Sequence, residues 1–305
     1  MKRSTPLIAT AIIFSLFSFT ASAATTVKMV ALKPLLNISL SQNPSDQISS
    51  LVVSSSSIVV VGTSAGHGII QSFDRTGQVQ LWSLTLESPE SSESIATVGI
   101  RDSLGNIWAA GASSQLPTPP TPITLPSDAI NPSGVISETT TALPSLTKLS
   151  VWKINPQGQL LGTFSQAAPN VILPDSLQLV GGKITVGGEI SAQSSSRFST
   201  SVDTTGVFST MRVTSTRAPI VSANKEVKTT LSTWKSFMTS TSIKGIPSWK
   251  PKKNSQVLVR YDLKTKAVMA AYTTSNEILD LAWEKSLGLA VLLSSPAGYQ
   301  LAIIK

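Results

Sequence analysis

The 305-residue sequence contains no cysteine and a single histidine, His67. Without thiols, a disulfide framework, a cysteine-ligated zinc site and a thiol nucleophile are all excluded. Charged residues are also scarce, at 13% of the chain. Serine and threonine are abundant instead, and because they compete with helical hydrogen bonds but suit turns and strand faces, this composition indicates β-structure rather than helices.

The amino-terminal residues have the pattern of a secretory signal peptide. Residues 2 and 3 are basic, residues 7–19 are apolar, and residues 21–23 are small enough for a cleavage site. We therefore predict a signal peptide over residues 1–23 and a protein that is secreted, periplasmic or at the cell surface. No other segment approaches the roughly 20 apolar residues that a membrane span requires, so we expect no transmembrane segment in the mature chain.

Residues 48–86 are predicted to form four short strands joined by three turns. The third and fourth strands meet at a turn that Asp74 opens and Gly77 closes, since aspartate bonds its own backbone and glycine accepts a positive φ. The same turn recurs along the chain, opening at Asn155, Asp203 and Asp262. With insertions removed, the repeat has a period of about 40 to 50 residues, which is typical of a four-stranded propeller blade.

This repeat predicts an all-β fold: a single β-propeller of about five four-stranded blades spanning residues 24–305. The last unit lacks a fourth strand, and we expect an amino-terminal strand near residues 34–41 to supply it and close the ring. The alternative fold for this pattern is a β-sandwich.

Short blade motifs carry a family resemblance, notably the run Asp102-x-x-Gly105-Asn106-Ile107-Trp108. In these the chain resembles secreted bacterial propellers with NHL-like, YVTN-like or quinoprotein-type repeats, and its blades are broadly WD40-like without the Trp-Asp dipeptide. The resemblance implies the fold and an extracytoplasmic location. It does not imply an activity, because the motifs are short and permissive.

Two insertions interrupt the repeat, at residues 112–148 and 234–254. The first contains five prolines between residues 117 and 126, which prevent regular strand pairing. Both insertions are predicted to join the second and third strands of a blade. We therefore expect them on the same face of the propeller, around one mouth of its central channel.

The second insertion belongs to a basic segment, because residues 212–253 hold nine lysines and arginines and one acid. Aromatic residues among the lysines suit polyanions or sugars. The candidate ligand-binding residues are Trp234, Lys235, Phe237, Lys244, Trp249, Lys250, Lys252 and Lys253. The alternative is a solvated loop whose aromatics pack on the propeller rim. The predicted partner of a monomeric binding or scaffold propeller is a protein or an anionic cell-envelope polymer; export disfavours nucleic acid.

Four carboxylates form a second predicted site, each lying just before the innermost strand of a blade. They are Asp46, Glu93, Asp175 and Glu277. Grouped at the channel mouth, they would suit a hard cation such as calcium, the one cofactor we consider. They would also make an extracellular hydrolase or lyase the enzymatic alternative to non-catalytic binding. If they are not grouped, they are ordinary solvated turn residues.

Overall fold

A computed structural model of the chain describes residues 27–38, 46–89, 91–114, 123–124, 135–136, 145–191, 195–215, 225–238, 243, 246 and 255–305. The regular elements in these ranges are all β-strands. No helix in the described ranges has the length and apolar character needed to cross a membrane. The predicted signal peptide lies outside them.

The first described strands are short, β1 (Met29–Ala31) and β2 (Leu36–Ile38). Blade 1 consists of β3 (Gln47–Val53), β4 (Ser57–Ser64), β5 (His67–Asp74) and β6 (Gln80–Leu86). Blade 2 begins with β7 (Ser94–Arg101) and β8 (Ile107–Ser113). After a separate hairpin of β9 (Ile123–Thr124) and β10 (Val135–Ile136), it ends with β11 (Lys148–Ile154) and β12 (Leu160–Ala167).

Blade 3 consists of β13 (Ile172–Val180), β14 (Lys183–Ser191), β15 (Ser195–Val202) and β16 (Arg212–Thr214). Blade 4 contains β17 (Glu226–Lys228), β18 (Ser232–Met238), β19 (Gln256–Asp262) and β20 (Val268–Thr274). Blade 5 contains β21 (Glu277–Glu284), β22 (Gly288–Ser295) and β23 (Gly298–Ile304). The predicted five blades are confirmed, and five separate sheets are not a β-sandwich.

The amino-terminal strands complete the last two blades. β2 pairs antiparallel with β23 and becomes the fourth strand of blade 5, which confirms the predicted amino-terminal strand. β1 adds a fifth strand to blade 4 by pairing parallel with β20, and this the repeat does not predict. Residues 36–38 and the last described strand are thereby held in one sheet.

Asx turns join the third and fourth strands of blades 1 to 4. In blade 1 the Gly77 N–H donates to the Asp74 carbonyl at 2.8 Å, and Gly77 has a φ of 76°. In blade 4 the left-handed position is taken by Lys266, at a φ of 59°. Hydrogen bonds donated within the turns lower the pKa of Asp74, Asp203 and Asp262. For Asp203 the largest contribution comes from the hydroxyl of Thr205.

The innermost strands contact one another in the order β17, β21, β3, β7 and β13, so blades 4, 5, 1, 2 and 3 are neighbours in that order. Four of them carry a register shift at the same position: β3 between Ile48 and Ser50, β7 between Ala96 and Val98, β13 between Pro174 and Ser176, and β21 between Ile278 and Asp280. Bulges increase local twist and redirect side chains. They therefore change which side chains approach the neighbouring inner strand.

Apolar clusters hold most neighbouring blades together. Representative pairs are Ile70 with Trp152 between blades 1 and 2, Trp108 with Ile184 between blades 2 and 3, Trp234 with Leu293 between blades 4 and 5, and Ile58 with Leu292 between blades 5 and 1. All these side chains are buried. Burial of apolar area at about 25 cal/mol per Å² makes such interfaces the main source of the fold's stability.

Blades 3 and 4 differ, because within the described ranges no apolar cluster contains residues of both. Blade 4 has its own cluster on the side away from blade 5, where Val257 and Val259 are covered by Ile243 and Ile246. On blade 3, β14 alternates between buried and more exposed residues, with Ile184, Val186 and Ile190 on the buried side. One face of blade 3 therefore packs on blade 2 while the other is accessible to solvent.

Candidate functional site

The face of blade 4 that points away from blade 5 carries a groove. Strand alternation creates it: Trp234 packs toward blade 5, so its neighbours Thr233 and Lys235 point to the opposite face. We call this feature the basic–aromatic groove; its volume is about 530 Å³. Its lining residues are Glu226, Lys228, Thr233, Lys235, Phe237, Tyr261, Leu263 and Lys266.

Three lysines and one glutamate set the charge of the groove. Lys235 Nζ lies 2.7 Å from one Glu226 oxygen, and Lys228 Nζ lies 4.0 Å from the other. Lys266 Nζ donates to the Leu263 carbonyl at 2.7 Å. Since one carboxylate offsets only one of three ammonium groups, the groove has a surplus of positive charge and is suited to an anion.

Two aromatic rings line the groove beside the lysines. The Phe237 and Tyr261 ring centroids are 6.5 Å apart in an edge-to-face arrangement. Both rings pack on the apolar cluster that contains Val257 and Val259, so they are held in place from below. Burial raises the pKa of Tyr261. A tyrosine hydroxyl is protonated at neutral pH even without this shift, so it can donate a hydrogen bond.

The eight predicted ligand-binding residues are divided by the structure. Lys235 and Phe237 lie together in the groove. Trp234 is only 4% exposed, and its ring packs beside Tyr272 and under the Arg260 guanidinium. The predicted insertion begins at Trp234, whereas β18 continues to Met238, so Trp234 lies within a strand. The others, Lys244, Trp249, Lys250, Lys252 and Lys253, lie outside the described residues.

The structure does not bring the four predicted carboxylates together. All four lie in the described ranges, where no three Asp, Glu, His or Cys side chains are placed to hold a metal ion. Asp175 instead forms an ion pair with Arg197 at 2.7 Å. Glu93 pairs through its backbone with Ser114, and Glu277 is an exposed residue that begins β21. Their shared position in the repeat does not bring their side chains together, because each bonds within its own blade or faces solvent.

Asp46, the remaining carboxylate, fastens the hairpin between β4 and β5. It accepts hydrogen bonds from Ala65 N and Ser64 Oγ, both at 2.9 Å. Residues 62–66 match the spacing Gly-x-Ser-x-Gly of a hydrolase nucleophile elbow. In such an elbow the serine lies between a strand and a helix. Ser64 instead lies at a β-hairpin turn, and its hydroxyl donates to the Asp46 carboxylate. His67 follows this hairpin at the start of β5. The hydrogen bonds of Asp46 with Ser64 and Ala65 therefore stabilise the turn between β4 and β5.

Asp280 is the titratable group that the sequence analysis missed. It lies at the bulge of β21 and accepts hydrogen bonds from Leu51 N at 2.7 Å, Leu281 N at 2.8 Å and Ser50 Oγ at 3.0 Å. Burial raises the pKa of Asp280, while these donors and the positive charge of Lys225 oppose that rise. An aspartate inside the apolar run of residues 278–283 was the available signal.

Asp280 joins the inner strands of three blades. Ser50, which donates to Asp280, also accepts the Gly99 N–H at 3.3 Å, so β21, β3 and β7 are linked in sequence. One blade further on, Thr97 Oγ1 donates to the Pro174 carbonyl at 2.6 Å. Both oxygens of the Asp280 carboxylate accept backbone hydrogen bonds, one from Leu51 N in blade 1 and one from Leu281 N in blade 5. Asp280 therefore holds these two blades together.

No protein-family model matches the chain, and a search of curated proteins found no match. The NanB sialidase of Streptococcus pneumoniae is 11% identical, with 77% of this chain and 34% of that chain covered and a TM-score of 0.37. GH43B of the Bacteroides ovatus xyloglucan PUL is 11% identical, with 90% and 53% covered and a TM-score of 0.43. The Dos1 propeller is 12% identical, with 85% and 68% covered and a TM-score of 0.36.

The chain therefore spans 34% of the sialidase and 53% of GH43B. Scores and identities this low carry no argument about activity.

Proposed function

We propose that this chain is a non-catalytic binding propeller that holds an anionic partner in the basic–aromatic groove of blade 4. The observation that carries the proposal is the surplus of lysines around two fixed aromatic rings in one groove. Lysine ammonium groups attract an anion at long range, and flat rings add contact area with little loss of side-chain freedom. The pattern of residues 1–23 supports a place of action outside the cytoplasm.

Binding is favoured over hydrolysis by the chemistry of the groove. Glycoside cleavage uses two carboxyl groups placed on either side of the scissile bond. The described lining of the groove contains one carboxylate, Glu226, which is engaged by Lys235 at 2.7 Å. A single carboxylate held by Lys235 leaves the groove without the second carboxyl group that this reaction needs. The groove is thus better suited to retention of an anionic polymer, such as a cell-envelope polymer, than to its cleavage.

A matched pair of charge reversals tests this function. Lys235 lies in the groove, whereas Lys285 is exposed in the turn between β21 and β22. Binding to immobilised polygalacturonate and to immobilised polyphosphate is measured by biolayer interferometry at two salt concentrations. We expect Lys235→Glu to weaken binding of at least one polymer by about tenfold or more, Lys285→Glu to leave it nearly unchanged, and added salt to weaken the wild type.

Two results would refute the proposal. One is the absence of wild-type binding to either polyanion at low salt. The other is an equal loss with Lys235→Glu and Lys285→Glu, since that would show a dependence on net charge alone rather than on the groove.

A further inference from the structure

Blade 3 has a polar face with no apolar partner among the described residues. Residues that pair across neighbouring strands form rows on this face. One row consists of Gln178, Thr185 and Ser201. The next consists of Ser176, Gly187, Ser199 and Arg212. Every member of these two rows is partly or fully exposed. Hydroxyl, amide and guanidinium groups therefore occupy the middle of this side of the sheet. The flanking rows of the same side add exposed Leu173 and Val180, and Glu189 in register with Arg197.

This face and the basic–aromatic groove occupy corresponding places on successive blades. Blade 3 packs on blade 2 through Ile184 and Val186, and blade 4 packs on blade 5 through Trp234. The polar rows of blade 3 and the groove of blade 4 lie on the opposite sides of their sheets. In a propeller, where blades follow one another around an axis, these are the sides that two successive blades turn toward each other.

We infer that an acidic polysaccharide binds between these two faces, with its carboxylates on the lysines of blade 4 and its hydroxyl groups on the polar rows of blade 3. The inference rests on the proposed function and names its ligand class.

The chemistry of the two faces distinguishes sugar from other polyanions. Lys228, Lys235 and Lys266 suit carboxylates, and the Phe237 and Tyr261 rings suit the C–H faces of pyranose rings. Sugar hydroxyls need many partners that both donate and accept, which the hydroxyl groups of serine and threonine and the amide of glutamine provide. A linear polyphosphate has acceptors but no hydroxyl donors, and would gain little from the rows on blade 3.

A bulky substitution on blade 3 tests the inference. Ser199 is exposed in β15, and Ser83 is exposed in β6 of blade 1, so each serine can be replaced by tryptophan without filling a core. Binding of polygalacturonate, inorganic polyphosphate and neutral dextran is measured by biolayer interferometry, with thermal unfolding as the folding check. We expect Ser199→Trp to weaken polygalacturonate binding by about tenfold and Ser83→Trp to change it less than about twofold.

The outcomes separate this inference from the proposed function. If Lys235→Glu abolishes polygalacturonate binding but Ser199→Trp does not weaken it, the groove binds anions and the role of blade 3 is refuted. If polyphosphate binds as tightly as polygalacturonate, the assignment of the ligand to polysaccharide is refuted while anion binding stands. If neither polymer binds, both are refuted. A loss confined to polygalacturonate and to the Lys235 and Ser199 variants supports both.

Discussion

The second strands of blades 2 and 3, β8 and β14, hold the same place in their sheets and differ in burial. All seven residues of β8 are buried. In β14 buried residues alternate with residues that are partly or fully exposed. A middle strand buried on both sides lies between two neighbouring sheets, and one buried on a single side has one such neighbour. The comparison identifies the face of blade 3 that no apolar cluster of the described residues covers.

The difference is also present in the sequence of the two strands. The β8 sequence IWAAGAS is apolar or small throughout, whereas KITVGGEIS in β14 alternates apolar residues with lysine, threonine and glutamate. Alternation of this kind indicates a half-buried strand, and an unbroken apolar run indicates a fully buried one. In a repeat protein, the pattern of the second strand therefore indicates which blade face lacks an apolar neighbour.

The largest expected effect compares two adjacent residues of β14. Ile184 is 2% exposed against blade 2, while Thr185 points to the polar face. We expect Ile184→Ala to reduce the free energy of unfolding by about 2–5 kcal/mol, because it leaves a cavity in a packed interface. Thr185→Ala should change it by less than about 0.5 kcal/mol. Urea denaturation measures both, and an equally large loss with Thr185→Ala would mean that the polar face is packed.

A second test addresses the closed part of the fold. Asp280→Ala removes the acceptor of Leu51 N, Leu281 N and Ser50 Oγ, and each buried donor left without a partner costs about 1–3 kcal/mol. Ser50→Ala should cost less, about 1–3 kcal/mol, because it removes one donor to Asp280 and the serine acceptor of Gly99 N, while the backbone donors to Asp280 remain. Equal, small losses for the two variants in urea denaturation would contradict a role for Asp280 in joining blades 5 and 1.

The pH dependence of stability sharpens the same point. Burial raises the folded-state pKa of Asp280, so its proton is held more tightly in the folded than in the unfolded state. Its contribution is fully present below the unfolded value, near pH 4, and is lost as pH rises through the folded pKa. The stability of wild type relative to Asp280→Asn should therefore decline from pH 4 toward pH 7. A difference that grows with pH in denaturation series would contradict the raised pKa.

The smallest expected effect concerns the ion pair on the polar face of blade 3. Arg197 and Asp175 are each about one-third exposed, so water screens their attraction. We expect Arg197→Met to cost at most about 1 kcal/mol, with less effect at high salt. A loss of several kcal/mol, independent of salt, would show that the pair is buried by another part of the molecule.

Much of the architecture could be predicted from the repeat. The Asx turns that open at Asp74, Asn155 and Asp203 depend on local backbone chemistry, so the sequence is sufficient to place them. The amino-terminal strand could be predicted because the last unit lacked one strand. The turns depend on short-range sequence signals, and the amino-terminal strand follows from the number of strands in each repeat unit.

The errors concern contacts that the repeat does not encode. The predicted insertion groups Trp234 with Lys235 and Phe237, although alternate residues of β18 face opposite sides of the sheet. The repeat draws attention to Glu277, at the start of the strand, and gives no reason to select Asp280, whose environment comes from Ser50 and Leu51, more than 200 residues away. The four predicted carboxylates share a position in the repeat, but local partners decide where each side chain points.

Cysteine labelling of the polar face of blade 3 tests the central claim most directly. The chain has no cysteine, so a single introduced thiol is the only one present. We predict that Ser199→Cys reacts with a maleimide in the native protein as fast as Thr204→Cys in an exposed turn, while buried Val186→Cys reacts only after unfolding. Protection of the Ser199→Cys thiol comparable to that of Val186→Cys would show that this face is covered and would contradict the account.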